Sequence, residues 1–209
     1  MNYFAHARPF LDGDPYFLAG TAIPDWLNVA DRRVRVRRKH AQAHQESEDQ
    51  RLASIARGVI QHHDDDAWFH DTRAFNELCF QLTVLVRDSL PSDQGFRPSF
   101  LGHILVEILL DWVLIDRDPQ YLETYYQVLE EVDGETIQEA VNHMSPRSTN
   151  RLAPLLPLFC SSRFLFDYAD DGKLWQRLNQ VMRRVSLPLL PEEFCICLPK
   201  ARAAVSERW

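Results

Sequence analysis

Three ionisable residues, His103, Glu107 and Asp111, interrupt an otherwise apolar stretch between Phe100 and Ile115. Their spacing of i, i+4 and i+8 puts all three on one face of an α-helix. The other residues of the stretch are Leu, Ile, Val, Phe, Trp or Gly, which is typical of a buried helix. Buried ionisable groups are paired, hydrogen-bonded or bound to a metal. The stripe therefore requires a partner elsewhere in the chain.

A second stripe with the same spacing supplies that partner. His62, Asp66 and His70 lie in the segment Ala56–Leu78, which we predict to be one helix, and this segment holds the chain's densest run of imidazoles and carboxylates. Two such helices facing each other across a core form a cage of the kind that binds metals in helical bundles. Mixed imidazole and carboxylate ligands suit zinc, manganese or iron. The sequence thus predicts a divalent metal held by both stripes.

A plainer interpretation of these residues stays open. A run of acidic residues on a helix is often a solvated face, and Asp64 and Asp65 are expected to be partly exposed. The two stripes could also form a buried salt-bridge network without a metal. This interpretation is weakest for the stripe between positions 103 and 111, because the neighbouring residues there offer no solvated face.

Two further residues are expected to complete a site of one or two metal ions. His6 lies in the apolar context Tyr3-Phe4-Ala5-His6, and Asp25 follows Pro24. His6 could equally be a hydrogen-bonded core histidine. Asp25 could be a helix cap, because Pro followed by Asp suits the start of a helix.

The chemistry expected of such a site is hydrolysis of a phosphoester. A divalent ion lowers the pKa of bound water towards neutrality and stabilises negative charge on a phosphoryl oxygen. The adjacent pair His63-Asp64 is the dipeptide that marks metal-dependent phosphohydrolases of the HD type, and we expect Asp25, His63 and Asp64 to be catalytic. The chain has no G-x-S-x-G elbow, Gly-rich phosphate loop or H-E-x-x-H motif.

A dense basic block lies between Arg32 and Lys39 in a chain whose net charge is -7. Taken alone, a charge run is a solvated surface. As a functional feature it could dock an acidic partner or bind phosphate, because Arg pairs bidentately with carboxylate and phosphate. We expect Arg35 and Arg38 to bind the phosphate of the substrate.

Composition limits the class of protein. With 209 residues, 45% of them hydrophobic and only 7 glycines, the chain is expected to form a single all-α domain over residues 1–209. The acidic balance argues against general nucleic-acid binding. The start of the chain lacks an apolar signal region, and the apolar run 104–115 is short and interrupted, so we expect a cytoplasmic protein without a membrane span. The four cysteines are expected to be reduced thiols.

The elements that must position the site follow from turns and periodicity. Beyond the two striped helices, we predict helices over 120–131, 136–144 and 174–185, a helix beginning near Pro24, and another running from about 154 to Tyr168. Turns are expected at 12–15, 91–95, 133–135 and 170–172. The tail after Pro188 gives no clear prediction.

Several short segments resemble the acyl carrier protein phosphodiesterase family, a divergent branch of the HD-type phosphohydrolases. The opening Met-Asn-Tyr-Phe-Ala-His is similar to that family's start. The family's pattern of Gly followed five residues later by Asp is matched by Gly20 and Asp25, and its Gly-hydrophobic-x-x-His-x-x-x-Asp helix by Gly58, His62 and Asp66. The segment 164–184 is similar to its C-terminal part, and the helix 100–112 falls where the family has an acidic helix.

This resemblance implies an all-helical, HD-like fold, manganese or a similar divalent metal, and hydrolysis of the phosphodiester that joins 4'-phosphopantetheine to a serine of an acidic carrier protein. It supports His6, Asp25, His62 and Asp66 by position. The chain departs from the family at His70 and His103, where acidic residues are usual, and in its basic block. These departures bear on the substrate more than on the fold.

Two other classes of protein compete with this hypothesis. A non-enzymatic helical protein would use the stripes as a buried ion-pair network and the basic block as a docking surface for a partner. A di-iron redox protein would fit the ligand types, but the paired Glu-x-x-His motifs of such bundles are missing.

Overall fold

The computed structural model describes residues 1–91 and 94–208, and within these ranges it contains helices and no strand, so the predicted all-α fold class is confirmed. Three short 3₁₀ segments, Arg8–Phe10, Phe164–Ala169 and Glu192–Cys197, connect α-helices. The α-helices in chain order are α1 (Tyr3–Ala7), α2 (Pro15–Ala30), α3 (Arg38–Gln42), α4 (Gln50–Asp71), α5 (Arg73–Ser89), α6 (Pro98–Arg117), α7 (Pro119–Glu130), α8 (Gly134–Met144), α9 (Leu155–Ser162), α10 (Asp171–Arg184) and α11 (Leu198–Ser206).

Aspartate side chains cap the N-termini of five of the described helices. Each accepts a hydrogen bond from a backbone N–H in the first turn, and they are Asp14 of α2, Asp49 of α4, Asp118 of α7, Asp133 of α8 and Asp170 of α10. This satisfies one of the donors that a helix start leaves without an intrahelical partner. Five of the 30 acidic residues therefore help to fix where helices begin.

The chain divides into two compact units, Met1–Trp68 with Asp118–Arg163, and Phe69–Arg117 with Phe164–Trp209. The core of the first unit is rich in large aromatic side chains. Trp26 of α2 and Tyr3 of α1 pack against Phe159 of α9, with ring centroids 5.4 and 5.1 Å apart. The single domain expected over residues 1–209 stays a prediction.

The second unit is built on the α5–α6 pair, with α10 and α11 packed in the same unit. Gly102 allows this close approach, because a Cβ there would lie 2.6 Å from Thr83 Oγ1 and 3.1 Å from the carbonyl oxygen of Cys79. With 20 residues and a mean hydropathy of 1.7, α6 is long and apolar enough to cross a membrane by length and composition alone, and 56% of that stretch is buried. The core helix of a soluble protein passes the same test, so this is weak evidence for a span.

The prediction of one continuous helix over Ala56–Leu78 is wrong near its C-terminal end. The helix ends at Asp71, and Thr72 caps a new helix by accepting a hydrogen bond from the N–H of Phe75. Threonine is one of the residues that commonly cap the start of a helix. The apolar periodicity on both sides of Thr72 nevertheless favoured one continuous helix.

The prediction of a helix start near Pro24 is also wrong. Helix α2 begins at Pro15, and Pro24 and Asp25 lie in its interior. Asp25 is therefore not a helix cap. In the C-terminal region, α9 ends before Arg163, which has a left-handed backbone (φ 45°), so the predicted helix to Tyr168 is interrupted, and the tail after Pro188 contains α11. The predicted turn at 91–95 includes Ser92 and Asp93, which lie outside the described residues.

Candidate metal centre

Three helices of the first unit bring ligand-type side chains together at one point. His6 comes from α1, Asp25 from the interior of α2 and His62 from α4. One ligand atom from each lies within 4.8 Å of the other two. Both histidines are buried, with exposed fractions of 0% and 4%. Their imidazole rings stack with centroids 4.1 Å apart.

Hydrogen bonds at Nδ1 orient both imidazoles. His62 Nδ1–H donates to the carbonyl oxygen of Thr21 at 2.8 Å. His6 Nδ1–H donates to Asp65 Oδ2 at 3.2 Å, and Gln61 Nε2 in turn donates to Asp65 Oδ1. Metal-binding histidines characteristically donate their other ring N–H to a carbonyl or carboxylate, which fixes the tautomer. Each Nε2 is thus left to point at the cluster.

Asp66 completes the cluster from α4. Its Oδ1 lies 3.3 Å from His6 Nε2, and its Oδ2 lies 3.4 Å from His62 Nε2. These separations are long for charge-assisted hydrogen bonds, which measure about 2.7–2.9 Å. Ligand atoms held at about 2.0–2.1 Å from a tetrahedral ion are separated by about 3.3 Å. The spacing of these nitrogen and oxygen atoms therefore fits the coordination shell of a metal ion. The N-terminal amino group of Met1 also contacts Asp66 Oδ1, at 2.5 Å.

The surroundings of this cluster favour the charged forms of His6 and Asp66. Burial alone would lower the pKa of His6, but its hydrogen bond to Asp65 and the nearby carboxylate of Asp66 outweigh it and raise the pKa to about 9. Burial alone would raise the pKa of Asp66, but the nearby imidazoles of His6 and His62 outweigh it and hold that pKa well below its usual range. The cluster thus holds an anionic carboxylate beside a cationic imidazole, whose proton a metal would displace.

The cluster opens into a cavity of about 330 Å³ within the first unit. His62, Asp25 and Asp66 form part of its wall. The remaining lining residues come from the end of α2, the following loop and α4, and they are Pro24, Leu27, Asn28, Arg35, Val36, Arg37 and His63.

The basic block contributes differently from what the sequence predicts. Arg35 lines the cavity and donates to Asn28 Oδ1 at 2.5 Å. Arg37 also lines it, and its side chain makes no hydrogen bond or ion pair among the described residues. Arg38 does not line the cavity, because its guanidinium binds both carboxylate oxygens of Asp64, at 2.5 and 3.1 Å.

His63 and Asp64, the adjacent pair predicted to be catalytic, therefore face different surroundings. His63 lines the cavity, donates from Nε2 to the carbonyl oxygen of Val36 at 2.8 Å, and has a pKa lowered by burial. Asp64 is 48% exposed and is not a lining residue. The i, i+4 prediction that His62 faces Asp66 agrees with the observed 3.4 Å contact.

A second group of ligand atoms lies in the second unit. His70, at the C-terminal end of α4, and His103 of α6 both direct Nε2 at Glu107 Oε1, at 2.9 and 3.2 Å. The three ligand atoms lie within 4.8 Å of one another. Hydrogen bonds to Cys79 and to Glu107 raise the pKa of His103 to about 10. Burial alone would raise the pKa of Glu107, but hydrogen bonds from His103 and His70 outweigh it and lower the pKa to about 2.

The single cage predicted from the two helical stripes is replaced by these two groups. The physical reason is the rise of the helix: residues i and i+8 lie about 12 Å apart along the axis. His62 and His70 therefore cannot both reach one ion, although they share a face of α4. Asp111 is likewise two turns beyond His103, and it is fully buried in α6 outside both groups.

Several contributors to these sites were not predicted from the sequence. The orienting carboxylate of Asp65, the carbonyl of Thr21, the cavity position of Arg37 and the thiol of Cys79 all depend on how helices cross. The only usable signal was the position of Arg37 within the basic block. Comparisons with protein-family models, curated proteins and solved structures find no match for this chain.

Proposed function

We propose that this protein is a metal-dependent phosphohydrolase whose active site is the cluster of His6, Asp25, His62 and Asp66. The observation that carries the proposal is the convergence of two oriented imidazoles and two carboxylates at one point. Three of these four side chains, those of Asp25, His62 and Asp66, form part of the wall of a cavity that arginines also line. Manganese, zinc and iron all accept such a mixed set of ligands. The HD-like resemblance of the sequence supports the same assignment.

A bound divalent ion would supply a hydroxide nucleophile near neutral pH and would stabilise charge on the phosphoryl oxygens. Side chains of the protein bind and orient the substrate. Arg35 and Arg37 bind the non-bridging phosphate oxygens, because guanidinium groups match their geometry and charge. Asn28 holds Arg35 in position at the cavity wall.

His63 is the group best suited to move a proton in this cavity. Its pKa is lowered by burial, so it is a neutral imidazole at pH 7, and the bond from Nε2 to Val36 leaves Nδ1 as the basic nitrogen. A neutral imidazole can accept a proton from water or return one to the leaving oxygen. Asp64 takes no part in this mechanism, because its carboxylate binds Arg38 outside the cavity.

The substrate class we propose is a phosphodiester, with the 4'-phosphopantetheine arm of an acidic carrier protein as the specific hypothesis. Five arginines and a lysine between positions 32 and 39 are exposed, and two of them, Arg35 and Arg37, line the cavity. The other four are Arg32, Arg33, Arg38 and Lys39. A cationic surface at the mouth of a phosphate-binding cavity would attract an acidic partner and steer its arm inwards.

The test combines metal analysis with hydrolysis. Protein purified without a chelator or a metal-affinity tag is analysed for manganese, zinc and iron, and is assayed with bis(p-nitrophenyl) phosphate and with a phosphopantetheinylated carrier protein. His62→Ala should lower metal affinity and hydrolysis by at least about a hundredfold, since even outer-shell changes cost 10–100-fold. His143→Ala, at an exposed position of α8, is the control and should change neither.

Two outcomes separate this proposal from the non-enzymatic alternative. Full metal occupancy in His62→Ala would show that the ligand assignment is wrong. Failure of the wild-type protein to bind manganese, zinc or iron would favour a buried ion-pair network, in which Asp66 is stabilised by His6 and by the amino group of Met1.

A further inference from the structure

The second unit contains a group of side chains that the proposed hydrolase site does not use. We propose that His70, His103 and Glu107 form a separate zinc-binding site. The carrying observation is that two imidazoles from different helices direct Nε2 at one carboxylate oxygen, at 2.9 and 3.2 Å.

The geometry of this group fits a coordination shell. Around a tetrahedral ion with bonds of about 2.0–2.1 Å, neighbouring ligand atoms lie about 3.3 Å apart. The observed separations are within a few tenths of an ångström of that value, so an ion needs only a small outward movement of the imidazoles. Two histidines and one glutamate are also a ligand set that zinc sites use, with a fourth position left for water or another donor.

The local structure holds these three residues in register. His103 and Glu107 are spaced i, i+4 on α6, so both point to the same side of the helix. Gly102 brings α6 against α5 beside Cys79, and the imidazole of His103 is hydrogen-bonded to the Cys79 thiol. His70 is placed by the end of α4, where Asn76 of α5 donates to its carbonyl oxygen at 3.0 Å.

Accessibility and charge both favour a bound cation. His70 and His103 are 33% and 42% exposed, so an ion can enter from solvent, whereas Glu107 is 15% exposed and is held as an anion. The aromatic ring of Phe75 lies 4.6 Å from His70 and 5.1 Å from His103, centroid to centroid. This apolar neighbour lowers the local dielectric and strengthens the attraction between Glu107 and a cation. The adjacent thiol environment favours zinc over the harder manganese ion.

The experiment measures zinc binding by the chelator-treated protein, using a competing chromophoric chelator, with manganese and ferrous iron in parallel. His70→Ala and His103→Ala should each weaken one class of zinc site by at least about a hundredfold. Because both side chains are partly exposed, these variants should fold, and Glu107→Gln, which keeps the size of the side chain, is a second probe. His143→Ala serves as the matched control.

The result that supports the proposal is loss of one zinc site in these variants while His62→Ala retains it. This comparison keeps the inference independent of the proposed function, since a failed hydrolase site leaves the second site measurable. Unchanged zinc stoichiometry and affinity in both histidine variants would overturn the proposal. Tighter binding of iron or manganese than of zinc at this site would overturn the assignment of the metal.

Discussion

Gly20 and Gly58 face each other where α2 crosses α4. A Cβ built on Gly20 would lie 2.9 Å from Gly58 Cα, and one built on Gly58 would lie 2.8 Å from Gly20 Cα. The two helices are thus in backbone contact at this point. Asp25 follows Gly20 by five residues and His62 follows Gly58 by four, so this crossing determines whether the two side chains reach the same cluster.

Adding a methyl group at this crossing is expected to lower the stability of the fold and to disturb the proposed metal site. In Gly58→Ala the new Cβ would lie 2.2 Å from the carbonyl oxygen of Phe17, so the helices must move apart. We expect a loss of about 1–3 kcal/mol in the free energy of unfolding, typical of overpacking, with weaker metal binding at His62. Urea unfolding and metal titration measure the two effects.

Gly172→Ala is the matched control for this substitution. A Cβ at Gly172 would approach no heavy atom closer than the Asp170 carboxylate at 3.4 Å, which is ordinary contact. Its unfolding midpoint should stay the same or rise slightly, because Ala favours a helix. Equal destabilisation by both substitutions would show that the crossing is not the cause.

The metal-free protein should be most stable at intermediate pH. His6 has a pKa near 9 in the folded protein against 6.5 as its ordinary value, so its contribution is complete below about pH 6.5 and is lost as the pH rises through 9. The pKa of Asp66 is depressed from 3.8, so its contribution is present above about pH 4 and is lost on acidification. Denaturant unfolding at a series of pH values, with a chelator present, measures both limbs.

His6→Gln should flatten the alkaline limb of that stability curve, because the group that titrates there is gone. The comparison is made against wild type at the same chelator concentration. An alkaline limb of unchanged steepness in the variant would assign the loss of stability to another group.

His63→Gln separates proton transfer from metal binding. His63 is not a member of the ligand group, so the variant should bind metal as the wild type does, whereas hydrolysis should fall by about 10²–10⁴-fold, the range for loss of a general acid or base. In the wild type, activity should rise with pH through a pKa below 6.5, because the neutral imidazole is the active form. That limb should disappear in the variant, and a pH–rate profile of kcat decides the matter.

Neighbouring arginines should differ in their effect on substrate binding. Arg37→Ala should raise KM for a phosphodiester about tenfold or more, since a hydrogen bond to a charged group is worth about 1.5–3 kcal/mol. Arg38→Ala should change KM less than about twofold, because its guanidinium is engaged by Asp64. Steady-state kinetics on both variants measures the difference, and the reverse order would place the substrate outside the cavity.

The sequence predicted the elements better than the connections between them. Periodicity located α6, α7, α8 and α10 to within a few residues, because each has an apolar face. It failed at Thr72 and Pro24, where a capping threonine lies between two apolar runs and a proline is tolerated inside α2. In such places local signals compete, and tertiary packing decides the outcome.

The ligand types were predictable, but their grouping was not. His62 with Asp66, and His103 with Glu107, are i, i+4 pairs that any helix brings together. The resemblance to a known family singled out His6 together with the first pair, but assigning His70 to the second pair requires knowledge of which helices touch. That knowledge depends on backbone contacts such as the one at Gly20, which amino-acid types alone do not encode.

The hydrogen bond between His6 and Asp65 joins residues that are 59 positions apart in the chain. Closing a loop of that length has a substantial entropic cost, which is recovered only when the enclosed helices have packed. The proposed ligands are therefore far apart in the unfolded chain, and an ion held by His6 and His62 would bind only the folded chain. By mass action, ion at a hundred times its dissociation constant would add about 2.7 kcal/mol to the stability of the fold. The concentration of metal in the surroundings would then set the fraction of protein that is folded as well as the rate of the proposed hydrolysis.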